Sequence, residues 1–145
     1  MMKPESFPFE LKPREPVILA QDFYALKDWY TTVLGFECVA IVDEAYRYAN
    51  LIHSNGIAIG IADAAQMNCT TPNQRQNTVR LQMEVTPIAE FLAHVSKHNG
   101  VIVFGPSTDA KDGFQYGAIL DIEDNEIWLV DSHCPNPNPA PQSTP

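Results

Sequence analysis

Asp22-Phe23-Tyr24-Ala25-Leu26-Lys27-Asp28-Trp29-Tyr30-Thr31-Thr32-Val33-Leu34-Gly35-Phe36 is the stretch on which the reading of this 145-residue chain turns. Phe23, Leu26, Tyr30, Val33 and Leu34 recur at helical spacing, Asp22 is placed to cap the first turn through its carboxylate, and Gly35 suits the left-handed conformation that ends a helix. The spacing predicts a short amphipathic helix with both ends marked. Before it stands a small apolar run, from about Pro16 to Gln21. After it come three segments with strand character: Phe36–Asp43, Tyr46–His53 and, past the turn signal Asn55-Gly56, Ile57–Ala62. The order is β-α-β-β-β.

Beyond a polar connection at residues 64–76 the same order restarts. Val79, Leu81, Met83 and Val85 alternate with Arg80, Gln82 and Glu84 as a strand, and Thr86-Pro87 opens a helix from Ile88 to about His98, stopped at Asn99-Gly100. Val101–Phe104, Phe114–Asp121 and Glu126–Asp131 then read as strands, with a Gly-Pro-rich loop after the first of them. The two helix-stopping glycines, Gly35 and Gly100, lie 65 positions apart, and the same shift sets Ala20 on Val85, Ile18 on Met83 and Glu15 on Arg80. Two copies of one unit, each with one helix, predict an α+β fold of two curved half-sheets around a groove. On this basis residues 1–14 form an N-terminal arm and residues 15–131 a single domain, with module one at about 15–63 and module two at about 77–131. The Pro-rich tail at 132–145 has the composition of a disordered segment.

One strand stands out by its parity. Ile57, Ile59 and Ile61 suit a core, whereas Ala58, Gly60 and Ala62 leave the opposite face bare. Such a face either receives another element in close packing or borders a pocket.

Nine Lys and Arg against eighteen Asp and Glu give a net charge of −9, and because residues 1–15 hold three of each sign, the remainder of the chain carries the whole excess. An acidic surface with no basic stripe repels nucleic acid and anionic lipid and favours neutral or cationic small molecules. Cys38, Cys69 and Cys134 share no short spacing, which argues against a disulfide framework or a zinc ribbon. The N-terminal sequence lacks the apolar core of a signal peptide, and no apolar run reaches membrane-spanning length, so the expectation is a soluble protein of a reducing, cytoplasmic compartment.

Two stretches add a family resemblance. Trp29-Tyr30-Thr31-Thr32-Val33-Leu34-Gly35-Phe36 looks like the aromatic-Tyr-x-x-Val-Leu-Gly element of the vicinal oxygen chelate superfamily, which takes in glyoxalase I, extradiol dioxygenases, and fosfomycin- and bleomycin-resistance proteins. Leu120-Asp121-Ile122-Glu123-Asp124-Asn125-Glu126-Ile127-Trp128-Leu129 is similar to that family's Asp-Pro-Asp-Gly-Asn-x-Ile-Glu-Leu hairpin. The resemblance covers residues 15–131 and implies the same doubled unit.

Metal enzymes of that superfamily hold a divalent ion through His, Gln or Glu at four strand positions, two per half. Matched by motif, those positions carry Glu15, Gly60, Arg80 and Trp128. Glycine has no side-chain donor, guanidinium stays protonated, and indole offers no lone pair. The resemblance therefore implies a member without its metal ligands, a metal-free binder of a planar or cationic compound, of the kind that confers resistance by sequestration. No cofactor, no metal and no catalytic residue is expected, and family members usually pair as homodimers. The alternative is a metal-dependent lyase, isomerase or dioxygenase of the glyoxalase type with ligands elsewhere.

By strand parity the groove is expected to be faced by Glu15, Val17, Leu19, Ala58, Gly60, Ala62, Arg80, Gln82, Glu84, Trp128 and Val130. Among these, Glu15, Leu19, Ala58, Gly60, Arg80, Gln82, Glu84 and Trp128 are the candidate ligand-binding residues. Trp128 would supply a stacking platform and Ala58 with Gly60 the space. Glu15 and Arg80 either pair with each other or serve a ligand, with Glu15 or Glu84 taking a cation and Arg80 an anionic group. His94 and His98, at i and i+4 on the second helix, are expected on a solvated face; His53 and His133 are expected to be exposed, and Cys38 to be a small core or strand residue.

Overall fold

The computed structural model describes residues 8–54, 56–67, 69 and 79–133. Asn55, most of the connection between the halves and the tail from Cys134 onward lie outside the described residues, as do residues 1–7 of the N-terminal arm. In the first half, β1 (Val17–Ala20), α1 (Phe23–Thr32), β2 (Glu37–Asp43), β3 (Arg47–Ile52) and β4 (Ala58–Asp63) form a four-stranded sheet in the order β1-β4-β3-β2. The second half repeats this with β5 (Leu81–Glu84), α2 (Ile88–Lys97), β6 (Val101–Thr108), β7 (Gln115–Leu120) and β8 (Glu126–Asp131), in the order β5-β8-β7-β6. In each sheet the first strand pairs parallel with the last, and the rest is antiparallel. This is the doubled βαβββ architecture, and the 65-residue shift carries α1 onto α2 residue for residue.

Local chemistry sets the ends of α1. The Asp22 carboxylate accepts from Ala25 N (3.1 Å), and Glu123, far away in sequence, accepts from Gln21 N and Asp22 N (2.8 Å each). Between them these carboxylates satisfy amides that the first turn leaves without helical partners. At the other end Gly35 sits at φ +77°, and the chain reverses so that Phe36 N donates to Tyr30 O at 3.1 Å. The start of α2 is held differently, because Pro87 has no side chain to cap with. Asp131, fully buried at the end of β8, accepts from Ile88 N (2.9 Å) and from the Thr86 hydroxyl (2.7 Å). In place of Gly100 it is Asn99, at φ +61°, that adopts the left-handed conformation after α2.

The alternation along β4 resolves as expected: Ile59 and Ile61 are buried against the helix layer with Ala49 and Leu51 of β3. Side chains of this size contribute about 1.5–3 kcal/mol each on burial. The cluster runs without a break from Phe23, Leu26 and Tyr30 to Leu92, Val95, Ile127 and Leu129, so the halves share one core on the helix side of both sheets. One expectation fails at β6, which continues through the predicted Gly105-Pro106 loop to Thr108. The strand tolerates these residues because its register shifts between Phe104 and Ser107. Gly105, at φ +109°, lies so close to β7 that a Cβ would stand 2.7 Å from the Gly117 Cα. Among the described residues no helix is long and apolar enough to cross a membrane.

Candidate functional site

On the face of the first sheet opposite α1, Val17 and Leu19 of β1 lie beside Gly60 and Ala62 of β4, while Asn50 and Tyr48 of β3 flank the same two residues from the other side. The space left by the small side chains is filled from within. A Cβ at Gly60 would lie 1.9 Å from the Tyr48 hydroxyl, so the phenol occupies the volume that Gly60 was expected to open for a ligand. The Tyr48 hydroxyl donates to Glu15 Oε1 (2.8 Å) and Asn50 Nδ2 donates to the same oxygen (3.3 Å). Glu15's own backbone N–H and then the Tyr48 hydroxyl hold its carboxyl below the usual range, while burial and the Glu15 hydrogen bond push the Tyr48 phenol up to about 12.

The corresponding face of the second sheet is open. A cavity of about 490 Å³ is walled by Phe104, Phe114, Tyr116 and Trp128. Its polar edge is made by Gln82, Asp109 and Ser132. The Phe104 and Phe114 rings sit 6.0 and 5.9 Å from Tyr116, at edge and tilted angles, which fixes the floor of the cup. Trp128 is 46% exposed. Its indole N–H donates to Glu126 Oε2 (2.9 Å), the oxygen that also meets Arg80 Nη1 at 3.0 Å. The Arg80 guanidinium stands 6.0 Å from the Trp128 ring centroid. The ring is thereby held by an ion pair while one surface stays available.

The eight candidate residues divide between the two sheets. Glu15, Leu19, Ala58 and Gly60 belong to the first, and Arg80, Gln82, Glu84 and Trp128 to the second. Only Gln82 and Trp128 border the cavity, and every residue that lines it comes from the second half. Glu15 and Arg80 have each found their own partners, Tyr48 with Asn50 and Glu126 respectively. Glu84, beside Val130 in the register, accepts from Ser132 N (2.6 Å) and from the Ser132 hydroxyl (2.9 Å). Sequence reasoning missed Tyr48 and the three aromatic residues of the floor. Their signal was parity: Tyr48 and Asn50 share a face on β3, and Phe114 and Tyr116 are two apart on and just before β7.

His94 is not a purely solvated residue. Its Nε2–H donates to the carbonyl of Val33 (2.8 Å), joining α2 to the end of α1, and its ring lies 4.4 Å from that of His98. Cys38 is half-buried in β2 as expected.

The sequence by itself matches no protein-family model and no curated protein. Its structure is informative where its sequence is not: a member of the glyoxalase/bleomycin resistance protein/dioxygenase superfamily from Sphaerobacter thermophilus superposes with a TM-score of 0.71 at 16% identity, over 84% of this chain and 98% of that one. The fold is the one shared by that superfamily. A glyoxalase family protein from Bacillus cereus gives a TM-score of 0.72 at 13% identity over 88% of this chain and 98% of its own. A glyoxalase I variant from Zea mays gives 0.68 at 13% identity, over 86% of this chain but 46% of that longer one. At such identities the likeness establishes the glyoxalase-type fold alone.

The residues present do not fit the divalent ion that this fold carries in its metal enzymes. Of the four matched positions, Glu15 has one carboxylate oxygen engaged by Tyr48 and Asn50, and Gly60 has the Tyr48 hydroxyl where a ligand side chain would start. Arg80 is a cation paired with Glu126, and Trp128 offers only an N–H. Among the described residues no group of three or more His, Cys, Asp or Glu side chains converges as metal ligands.

Proposed function

We propose that this protein is a metal-free binder of small molecules that takes a planar compound against Trp128, with sequestration rather than chemistry as its role. The observation that carries the proposal is the aromatic cup of about 490 Å³ beside an indole that is pinned at its N–H edge and exposed on its face. A flat ligand gains stacking area there at little ordering cost, since the ring is already fixed. The net charge of −9 favours a cationic compound over an anionic one. The same acidity supports the expectation that neither nucleic acid nor an anionic membrane is a partner.

Bleomycin resistance proteins share the superfamily name with the structural neighbours, and a resistance or storage role is carried over from them as part of this proposal. We extend it to a homodimer, supported by half-exposed Val17, Val39 and Ile41 on the edge strands β1 and β2. Sedimentation equilibrium at micromolar concentration tests that extension.

Tryptophan fluorescence tests the binding function. Trp29 is 7% exposed, so quenching by a panel of planar compounds reports on Trp128. Saturable quenching that Trp128→Phe removes supports the proposal, whereas a panel that leaves emission unchanged refutes it. Elemental analysis of the purified protein addresses the metal-enzyme alternative, since a stoichiometric divalent metal abolished by Glu15→Ala would favour that reading.

A further inference from the structure

β3 and β4 fall on β7 and β8 at a shift of 68 residues, and the pairing follows: Tyr48 lies opposite Ala62 and Asn50 opposite Gly60, as Tyr116 lies opposite Val130 and Ala118 opposite Trp128. Tyr48 and Tyr116 therefore hold one and the same place in the repeated unit, and Gly60 and Trp128 hold the place diagonal to it on the next strand. The outcomes differ. In the first half the Tyr48 phenol lies over position 60, where a Cβ would stand 1.9 Å from its hydroxyl oxygen and 2.5 Å from the ring carbon that bears it. In the second half position 128 carries a side chain, so the same pose is barred to Tyr116, whose ring packs against Phe104 and Phe114 and leaves the cup open. A hydrogen-bonding partner stands at the matching place in both halves: Val17 pairs with Gly60 and Gln82 with Trp128, and Glu15 and Arg80 each stand two residues earlier. Glu15 accepts from the Tyr48 hydroxyl, and a guanidinium at that place can donate to a phenol oxygen.

We infer that Trp128 is a positioning residue as well as a stacking surface: its Cβ keeps the Tyr116 ring off the sheet, and the residue at this place in each half decides whether that half holds a ligand or its own tyrosine. The part of this inference that concerns a ligand rests on the proposed binding function of the cup. Glycine at this place lets the tyrosine lie down and fill the half from within; any side chain holds it upright. The chain thus offers one cup, in the second half, and the first half is the closed form of the same site.

The test separates the Cβ from the indole by comparing Trp128→Ala with Trp128→Gly, both of which lose the stacking ring. Nuclear Overhauser contacts of the Tyr116 ring are read first, without any ligand. Trp128→Ala is expected to keep the contacts to Phe104 and Phe114, and Trp128→Gly to replace them with contacts to residue 128 and Arg80. Gly60→Ala is the mirror experiment and stands should Trp128→Gly not fold: the Tyr48 ring is expected to leave position 60. A Tyr116 ring that keeps its phenylalanine contacts in Trp128→Gly, or a Tyr48 ring that stays in place in Gly60→Ala, would overturn the inference. Binding of 9-aminoacridine, a planar cation, is read second. The wild type is expected to take one equivalent per chain, and two would overturn the closed state of the first half. Trp128→Gly is expected to bind about tenfold more weakly than Trp128→Ala, as for a ring that fills the site about nine-tenths of the time. Adding Tyr116→Ala to each variant is expected to erase that difference, and a difference that persists would overturn the role of the tyrosine. A wild type that takes up no probe would remove the proposed function of the cup, while the ring contacts still decide what Trp128 does to Tyr116.

Discussion

The Tyr30 hydroxyl donates to Asp121 Oδ2 at 2.8 Å, joining the helix of the first half to the β7–β8 turn of the second. Asp121 is 3% exposed and also accepts from Glu123 N (2.8 Å), Asn125 N (3.0 Å) and Asn125 Nδ2 (2.9 Å). Burial and then the Asp121 charge raise the Tyr30 phenol well above its ordinary pKa, so the donor keeps its proton. Tyr30→Phe leaves the carboxylate with three donors and is expected to cost about 1 kcal/mol in urea unfolding. Asp121→Ala strands all of those donors at once and is expected to cost about 2–4 kcal/mol. Equal losses for the two variants would contradict this hierarchy.

Gly60 and Tyr48 are expected to be energetically coupled. Gly60→Ala places a methyl on the Tyr48 ring and must displace it, breaking the bond to Glu15. In Tyr48→Ala the same substitution at residue 60 meets open space. A double-mutant cycle by thermal unfolding should therefore show a coupling of about 1 kcal/mol or more, with Gly60→Ala far better tolerated when Tyr48 is already gone. Additive effects would mean that the ring moves aside freely.

Stability should respond to pH at both ends of the scale through the Glu15–Tyr48 pair. The Glu15 pKa is depressed in the fold, so its contribution is present above the unfolded value and is lost as pH falls through the folded one. Tyr48 behaves in the opposite sense: its folded pKa of about 12 exceeds the ordinary 10.0, so its contribution is complete below 10 and vanishes as pH rises towards 12. Ultraviolet titration should show a tyrosinate step near 12 that is missing in Tyr48→Phe, and Glu15→Gln should move that step downward.

Chelation should change nothing. Exhaustive treatment with EDTA is expected to leave the melting temperature of the protein and its affinity for planar compounds where they were, and added zinc or manganese should not raise either. An increase of several degrees on adding one of these ions would show that a site exists outside the four matched positions.

Both helices are legible in the sequence because their determinants are local: apolar residues at helical spacing, Asp22 at one end of α1 and Gly35 at the other. Parity likewise separates the Ile59 and Ile61 face of β4 from that of Gly60. What parity does not carry is the identity of the neighbour. Tyr48 reaches Gly60 across a strand pair, and nothing along β4 distinguishes space awaiting a ligand from space awaiting a phenol. The Gly105-Pro106 pair illustrates the converse. It has the composition of a loop, yet a register shift absorbs it into β6, and that choice depends on β7. The candidate site fared in the same way. Gln82 and Trp128 follow from alternation on single strands, whereas the cup requires β6, β7 and the segment leading into β7 to be brought together.

Glu123 closes the start of α1 from 102 residues downstream of Gln21. During synthesis, therefore, the first helix leaves the ribosome with its leading amides open and waits for nearly the whole chain before its end is sealed. The two halves look alike in topology, but this carboxylate makes the earlier one dependent on the later. Cutting the gene between them would yield a leading fragment deprived of its seal, so the halves are no longer exchangeable parts.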